Sequence, residues 1–289
     1  MKEIVQNKYQ ESINKTIDYI NDNLKNPIDL KRLATIANIS EFHFHRIFKA
    51  FIGEPLGTYI VRLRMERAAS ILQRTNNSLS EIAEKTGYQS PYSLSKAFKK
   101  HFGITPSAFR NIDTFISNRK IIETDDTSIP KPDIREIKSK ELVYVRIISK
   151  YGSKEDYSIA WAKLYNYVKK NNLLFSDSEF IGLSFDDPGI TKAEKCRFYA
   201  CISINEPIES YGEFGIQTIE SGKYAVFSLK GSYSGLDKLY RSIYFNWLPN
   251  SKFQLRNDIP FEKYLNSPDT AIESELLTEI FIPIKEKLL

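Results

Sequence analysis

Cysteine is nearly absent from this chain, Cys196 and Cys201 being the only two. Two thiols are too few for a disulfide scaffold. On a single strand, a spacing of five residues sends them to opposite faces, which argues against a bridge or a shared metal. Histidine is almost as scarce. His43, His45 and His101 have no cluster of acids or cysteines near them, so neither a catalytic metal nor a cofactor is expected. Apolar runs are short, none approaching the ~18 residues of a membrane span. The opening stretch, MKEIVQNKYQESINK, has no apolar signal-peptide core, so the expectation is a cytoplasmic protein with no membrane partner.

Charge is unevenly spread. Residues 1–112 hold 17 Lys/Arg against 10 Asp/Glu, whereas the remainder holds 24 against 26. A basic front and a near-neutral back suit two domains, the first with a polyanionic partner.

One pattern occurs twice in the basic part, as DLKRLATIANISEFHFHRIFKAFIG (29–53) and SLSEIAEKTGYQSPYSLSKAFKKHFG (78–103). In each, a short helix carries Leu33-Ala34 or Ile82-Ala83 and gives way to a polar turn. The second helix that follows has Arg46 or Lys96 two residues before Phe48 or Phe98. Two helix-turn-helix units with basic, aromatic second helices are the sequence form of a major-groove reader. Asp29 is placed to cap Leu30–Ala37, and Ser40 to cap Glu41–Phe51. Phe44, Ile47, Phe48 and Phe51 then face the core, leaving Phe42, His45, Arg46 and Lys49 outward, where base edges and thymine methyls could meet them. In the second unit Pro91 suits the first helical turn. Leu94, Ala97, Phe98 and Phe102 face inward, and Tyr92, Ser93, Ser95, Lys96 and Lys99 face DNA. Between the units, Gly57–Arg74 reads as a helical strut of ~27 Å, which with the width of the units brings the two readers near the ~34 Å of one duplex turn. One chain can then enter two successive major grooves without a dimer. Arg62, Arg64 and Arg67 on the strut either touch phosphate or are simply solvated.

Residues 10–112 resemble the DNA-binding domain of the AraC/XylS family, most closely in IAEKTGYQSPYSLSKAFKKHFGITPSAFR. The resemblance implies base contacts from Phe42, His45 and Arg46, then Pro91, Tyr92, Ser93, Ser95 and Lys96. Lys96 stands where relatives carry Arg and lacks that residue's bidentate fork.

Residues 113–131 are polar and read as a linker, separating a domain over 1–112 from one over 132–289. The second domain contains its own repeat. IKSKELVYV (137–145) aligns with IESGKYAVF (219–227), each followed by an amphipathic helix (Asp156–Lys170; Gly235–Trp247). Two strands follow each helix: Phe180–Phe185 with Phe198–Ile204, and Phe261–Leu265 with Leu276–Ile284. The fold class is thus an all-α double helix-turn-helix domain, then an α+β domain of duplicated β-α-β-β units about a pseudo-twofold, with an aromatic groove between the halves. Glu262 and Tyr264 share one face of a strand. A carboxylate so placed is either a surface strand charge or an anchor for a cation.

Residues 132–289 resemble the GyrI-like effector-binding family, in the fragments WLPNSKF, PFEKYLNSP and LLTEIFIPI. The resemblance implies that Glu262 lies in an aromatic cleft taking hydrophobic, often cationic, small molecules, with Trp247, Tyr264, Tyr144, Phe227 and Trp161 as its lining. The combined expectation is a non-enzymatic, sequence-specific transcription regulator, an activator working with RNA polymerase, monomeric on double-stranded DNA and responsive to such a ligand or to a protein partner. The alternatives are a hydrolase using Glu262 as base and Tyr264 as acid, and an architectural DNA protein without ligand response.

Overall fold

The computed structural model describes residues 2–111 and 131–287, with side chains from residue 6 onward. The expected linker lies outside the described residues except for Lys131. The chain forms two compact units: one holds the N-terminal helices together with residues 189–191 and 211–215, and the other holds the remaining described C-terminal residues.

In the first unit the helices are α1 (Lys2–Asp22), α2 (Leu30–Ala37), α3 (Glu41–Ile52), α4 (Leu56–Arg74), α5 (Leu79–Lys85), α6 (Pro91–Phe102) and α7 (Pro106–Arg110). Two hydrophobic cores are strung along α4. Its first half supplies Leu56, Tyr59 and Leu63 to a cluster with Ile13, Ile17, Leu33, Phe44 and Phe48. Its second half supplies Met65, Ala68, Ala69 and Leu72 to a cluster with Ile82, Ala83, Leu94 and Phe98. The strut is therefore the shared wall of both readers, and at 19 residues it spans ~28 Å.

Capping chemistry sets the helix starts. Asp29 accepts the Lys31 N–H. Ser78 with Glu81 and Ser90 with Ser93 form reciprocal capping boxes. Ser40 takes the N-cap position of α3, but its hydroxyl makes no capping bond, so α3 starts on backbone conformation and on Glu41 in its first turn.

The strut arginines differ from both readings of the sequence. Arg62 lies between Glu54 (2.8 Å) and Glu66 (3.0 Å), with its guanidinium over the Tyr59 ring. Burial alone would pull its pKa down, but the bond to Glu54 and the charges of Glu66 and Glu54 leave it raised. Arg64 donates to the carbonyls of Leu24 (2.9 Å) and Asn26 (2.7 Å), tying down the turn after α1. Gly87, with φ +76°, makes room for this contact, since a Cβ there would meet both Leu24 O and the Arg64 guanidinium within 3 Å. Arg67 is withdrawn from water, and burial lowers its pKa. Arg62 and Arg64 thus hold the unit together.

The second unit is built on one antiparallel sheet. Its strands are β1 (Asp133–Ile137), β2 (Lys140–Ile148), β3 (Phe180–Ser184), β4 (Arg197–Ile204), β5 (Phe214–Ile219), β6 (Gly222–Lys230), β7 (Phe253–Leu255), β8 (Phe261–Tyr264) and β9 (Leu277–Glu286). The order is β1-β6-β9-β8-β3-β4-β2-β5, with β7 on β9. The internal repeat is visible in these bounds, because β2 and β6 start and end 82 residues apart. The sequence reading takes each half as β-α-β-β. The structure adds a leading strand to each, and those strands are exchanged: β1 pairs with β6 of the other half, and β5 lies beside β2. Each lead strand thus completes the edge of the other half's sheet.

The pseudo-twofold passes between β3 and β8, where Gly182 pairs with Glu262. On one face of the sheet lie α8 (Lys154–Lys170) and α9 (Leu236–Ser242), the latter continuing through a π-helical turn at Ile243–Trp247. The opposite face has its own core of Leu142, Tyr144, Ile181, Tyr199, Tyr224, Phe261 and Phe281.

Two outcomes are expected. Arg62→Ala removes the guanidinium 2.8 Å from Glu54 and 3.0 Å from Glu66, both buried, and should cost about 3–5 kcal/mol, read as a lowered urea midpoint. A Cβ at Gly182 would lie 2.6 Å from the Tyr264 hydroxyl and 2.7 Å from the Phe198 ring. Gly182→Ala should therefore cost about 1–3 kcal/mol by overpacking, measured by thermal unfolding.

Candidate functional site

The start of each second helix is laid open to solvent. Phe42 is 71% exposed and Tyr92 77%, both at the second residue of their helices, α3 and α6. His45, Arg46 and Lys49 on α3 are exposed, as are Pro91, Lys96 and Lys99 on α6. The Arg46 guanidinium rests 5.9 Å from the Phe42 ring centroid, so cation and aromatic ring form one surface. Ser93 departs from the sequence expectation. As the third residue of α6 it accepts the Ser90 N–H (3.2 Å) and donates to the Ser90 carbonyl (2.9 Å), which commits its hydroxyl to the cap. Ser95 is half-buried.

On the helical face of the C-terminal sheet, Glu262 is 4% exposed. Its partners among the described residues are all hydroxyls: Tyr264 donates to Oε2 at 2.6 Å, while Tyr240 (3.2 Å) and Ser184 (3.4 Å) reach Oε1. Burial pushes its pKa up, and the three donors only partly counter that. Burial and the neighbouring carboxylate drive the Tyr264 and Tyr240 pKa values well above 10.0, so both remain proton donors. Trp161 meets Tyr264 edge-on at 5.9 Å, and Tyr233 does so at 5.4 Å. Tyr157, whose pKa burial raises, stacks on Phe198 and adds to the aromatic wall. A desolvated carboxylate ringed by π faces is an environment that favours a cation over a neutral guest.

Of the residues expected to line the cleft, the structure gathers Glu262, Tyr264 and Trp161. Trp247 and Phe227 share their face of the sheet but pack edge-to-face against each other at 5.1 Å, in the core under α9. Tyr144 is on the opposite face, because its neighbours across the sheet alternate with those of Glu262. There it stacks on Tyr199 at 4.3 Å and its hydroxyl accepts from Arg146. Tyr240, Ser184 and Tyr233 were not singled out from the sequence. Tyr240 reads there as one more member of the apolar stripe of its helix; only the position of α9 over β8 shows that its hydroxyl reaches Glu262. Among the described residues no His, Cys, Asp and Glu group has the makings of a metal site, and no helix is long and apolar enough to cross a membrane.

Comparison with known proteins places both halves. Residues 130–285 match the GyrI-like small molecule binding domain, and residues 33–112 match a helix-turn-helix domain. The chain is 36% identical over 117 residues, 40% of its own length and 87% of the relative's, to the HTH-type transcriptional activator AarP of Providencia stuartii. It is 26% identical over 279 residues to the F1 operon positive regulatory protein of Yersinia pestis, covering 94% of this chain and 89% of that one. With the transcriptional regulator Rob of Salmonella typhimurium it shares 22% identity over 285 residues, 92% of this chain and 96% of the other. Two exposed recognition helices on a common strut, followed by a buried carboxylate in a GyrI-like domain, thus have a single family behind them: the chain belongs to the AraC-type DNA-binding transcriptional regulators that carry a GyrI-like small molecule binding domain.

Proposed function

We propose that this regulator is an activator that binds DNA as a monomer, laying α3 and α6 into successive major grooves, and that its C-terminal domain binds a hydrophobic organic cation on Glu262. The observation that carries the ligand reading is the pairing state of Glu262: a buried carboxylate whose described partners are hydroxyls from Tyr264, Tyr240 and Ser184. Such a group is costly to ionise alone and gains most when a positive charge arrives. The aromatic faces of Trp161, Tyr264 and Tyr233 supply flat, non-directional contact, so the site reads charge and shape loosely.

On DNA, Arg46 and His45 with Phe42 read the first half-site, and Lys96 with Tyr92, Pro91 and Ser95 reads the second, while Lys49 and Lys99 lie toward phosphate. Ser93 acts through the helix start. Two readers within one chain dispense with a partner subunit, and an activator's output is contact with RNA polymerase. Binding without turnover is favoured over hydrolysis, because the relatives are named as regulators and Tyr264 already directs its proton at Glu262.

Three results test this reading. Arg46→Ala should weaken specific binding by about 1–3 kcal/mol while barely changing affinity for random duplex, as measured by titration of both DNAs. Glu262→Gln should weaken binding of an organic cation such as tetraphenylphosphonium and leave operator affinity intact; equal calorimetric titrations for the two proteins would overturn the cleft assignment. The pH dependence has a definite sign. A cation needs the ionised carboxylate, so affinity should fall as pH drops through the raised pKa of Glu262, beginning above its ordinary 4.5. The stability of the unliganded domain should move the other way, because a carboxyl whose pKa is raised by folding stabilises the fold when protonated. In Glu262→Gln both trends should flatten.

A further inference from the structure

The two halves of the C-terminal domain share strand register, Gly182 facing Ala200 as Glu262 faces Ile280, so each cleft position has a counterpart in the other half. Around β3 and β4 the first half is filled and tied. Phe198 packs over Gly182 and stacks on Tyr157. Tyr151 donates to the Arg197 carbonyl and accepts from the Asp186 N–H, both at 2.9 Å. In the second half the equivalents, 80 or 82 residues on, are Thr278 for Phe198, Glu262 for Gly182 and Tyr233 for Tyr151. A ring has become a small hydroxyl side chain. The tyrosine has no corresponding hydrogen bonds among the described residues, and its ring leans on Tyr264 instead.

Thr278 is 1% exposed, and its Oγ1 has no hydrogen-bond partner among the described residues. It pairs with Tyr264 across β8–β9 and with Leu229 across β6–β9, so it shares the face of the sheet that carries Glu262. A buried hydroxyl left unpaired is costly, whereas valine in the same volume is not.

We infer that Thr278, across the sheet from the Tyr264 on which Tyr233 packs, forms a second polar subsite of the ligand cleft, and that the ligand is an organic cation carrying a hydrogen-bonding group such as a hydroxyl. The spacing follows from the sheet. Thr278 is the diagonal neighbour of Glu262, which puts the two side-chain origins ~7–8 Å apart. A hydroxyl on an aromatic ring attached to the cationic centre spans that interval. This inference rests on Glu262 as the cation anchor.

The test uses the full-length protein with tetraphenylphosphonium and its meta- and para-hydroxyphenyl analogues, titrated by calorimetry. Wild type should prefer a hydroxylated probe by roughly five- to tenfold, the worth of one net hydrogen bond. Thr278→Val should abolish that preference while melting no lower than wild type, and Thr278→Ser should restore it. If all three probes lose affinity in Glu262→Gln but their ratio is the same in wild type and Thr278→Val, the subsite is wrong and the anchor stands. If Glu262→Gln changes nothing, or no probe binds, both readings fall.

Discussion

The hinge of the C-terminal domain is one cross-strand pair, Gly182 opposite Glu262, on the axis relating its halves. A duplicated sheet would place like residues on both sides of that axis, and two carboxylates there would repel each other in a desolvated setting. Glycine on one side leaves space for the Tyr264 hydroxyl and the Phe198 ring to approach within 3 Å of where a Cβ would stand. The carboxylate on the other side is thereby enclosed by donors and rings. Local symmetry supplies the scaffold, and its violation at this pair makes the candidate site.

Much of this architecture could be read from residue order. The repeat of Leu33-Ala34 and Ile82-Ala83, the Ser78 and Ser90 starts, and the core positions of Phe44, Phe48, Leu94 and Phe98 follow from periodicity and capping, which are local properties. The offset between residues 137–145 and 219–227 marks the second duplication in the same way. What periodicity does not carry is partner choice in a sheet. Nothing in residues 133–137 says that they pair with residues 222–226 and not with the strand two residues ahead. Tyr144 went to the wrong face for a related reason: alternation fixes which residues share a face within one strand, but not which faces of different strands coincide. Glu262 and Tyr264 needed only their own strand, and they are together.

The N-terminal unit shows a parallel limit. An arginine on a helix in a basic domain looks the same in sequence whether it meets phosphate or a buried glutamate. Arg62 is distinguished by Glu54, eight residues away and beyond a proline, and by Glu66 one turn on. Only folding brings these three together. Their ion-pair cluster, the Arg64 contacts to the α1 turn and the two cores along α4 join the strut to both halves of the unit.

The inward turn of those cations also bears on how the protein responds to ionic strength. Counterion release counts only charges that reach the DNA backbone, each neutralised phosphate contributing about −0.9 to the slope of log affinity against log salt. Arg62 and Arg64 are engaged internally, so neither counts among the cations that neutralise phosphate. On the binding mode proposed above, the salt slope is then set by the exposed cations of α3 and α6, Arg46, Lys49, Lys96 and Lys99, and not by the strut.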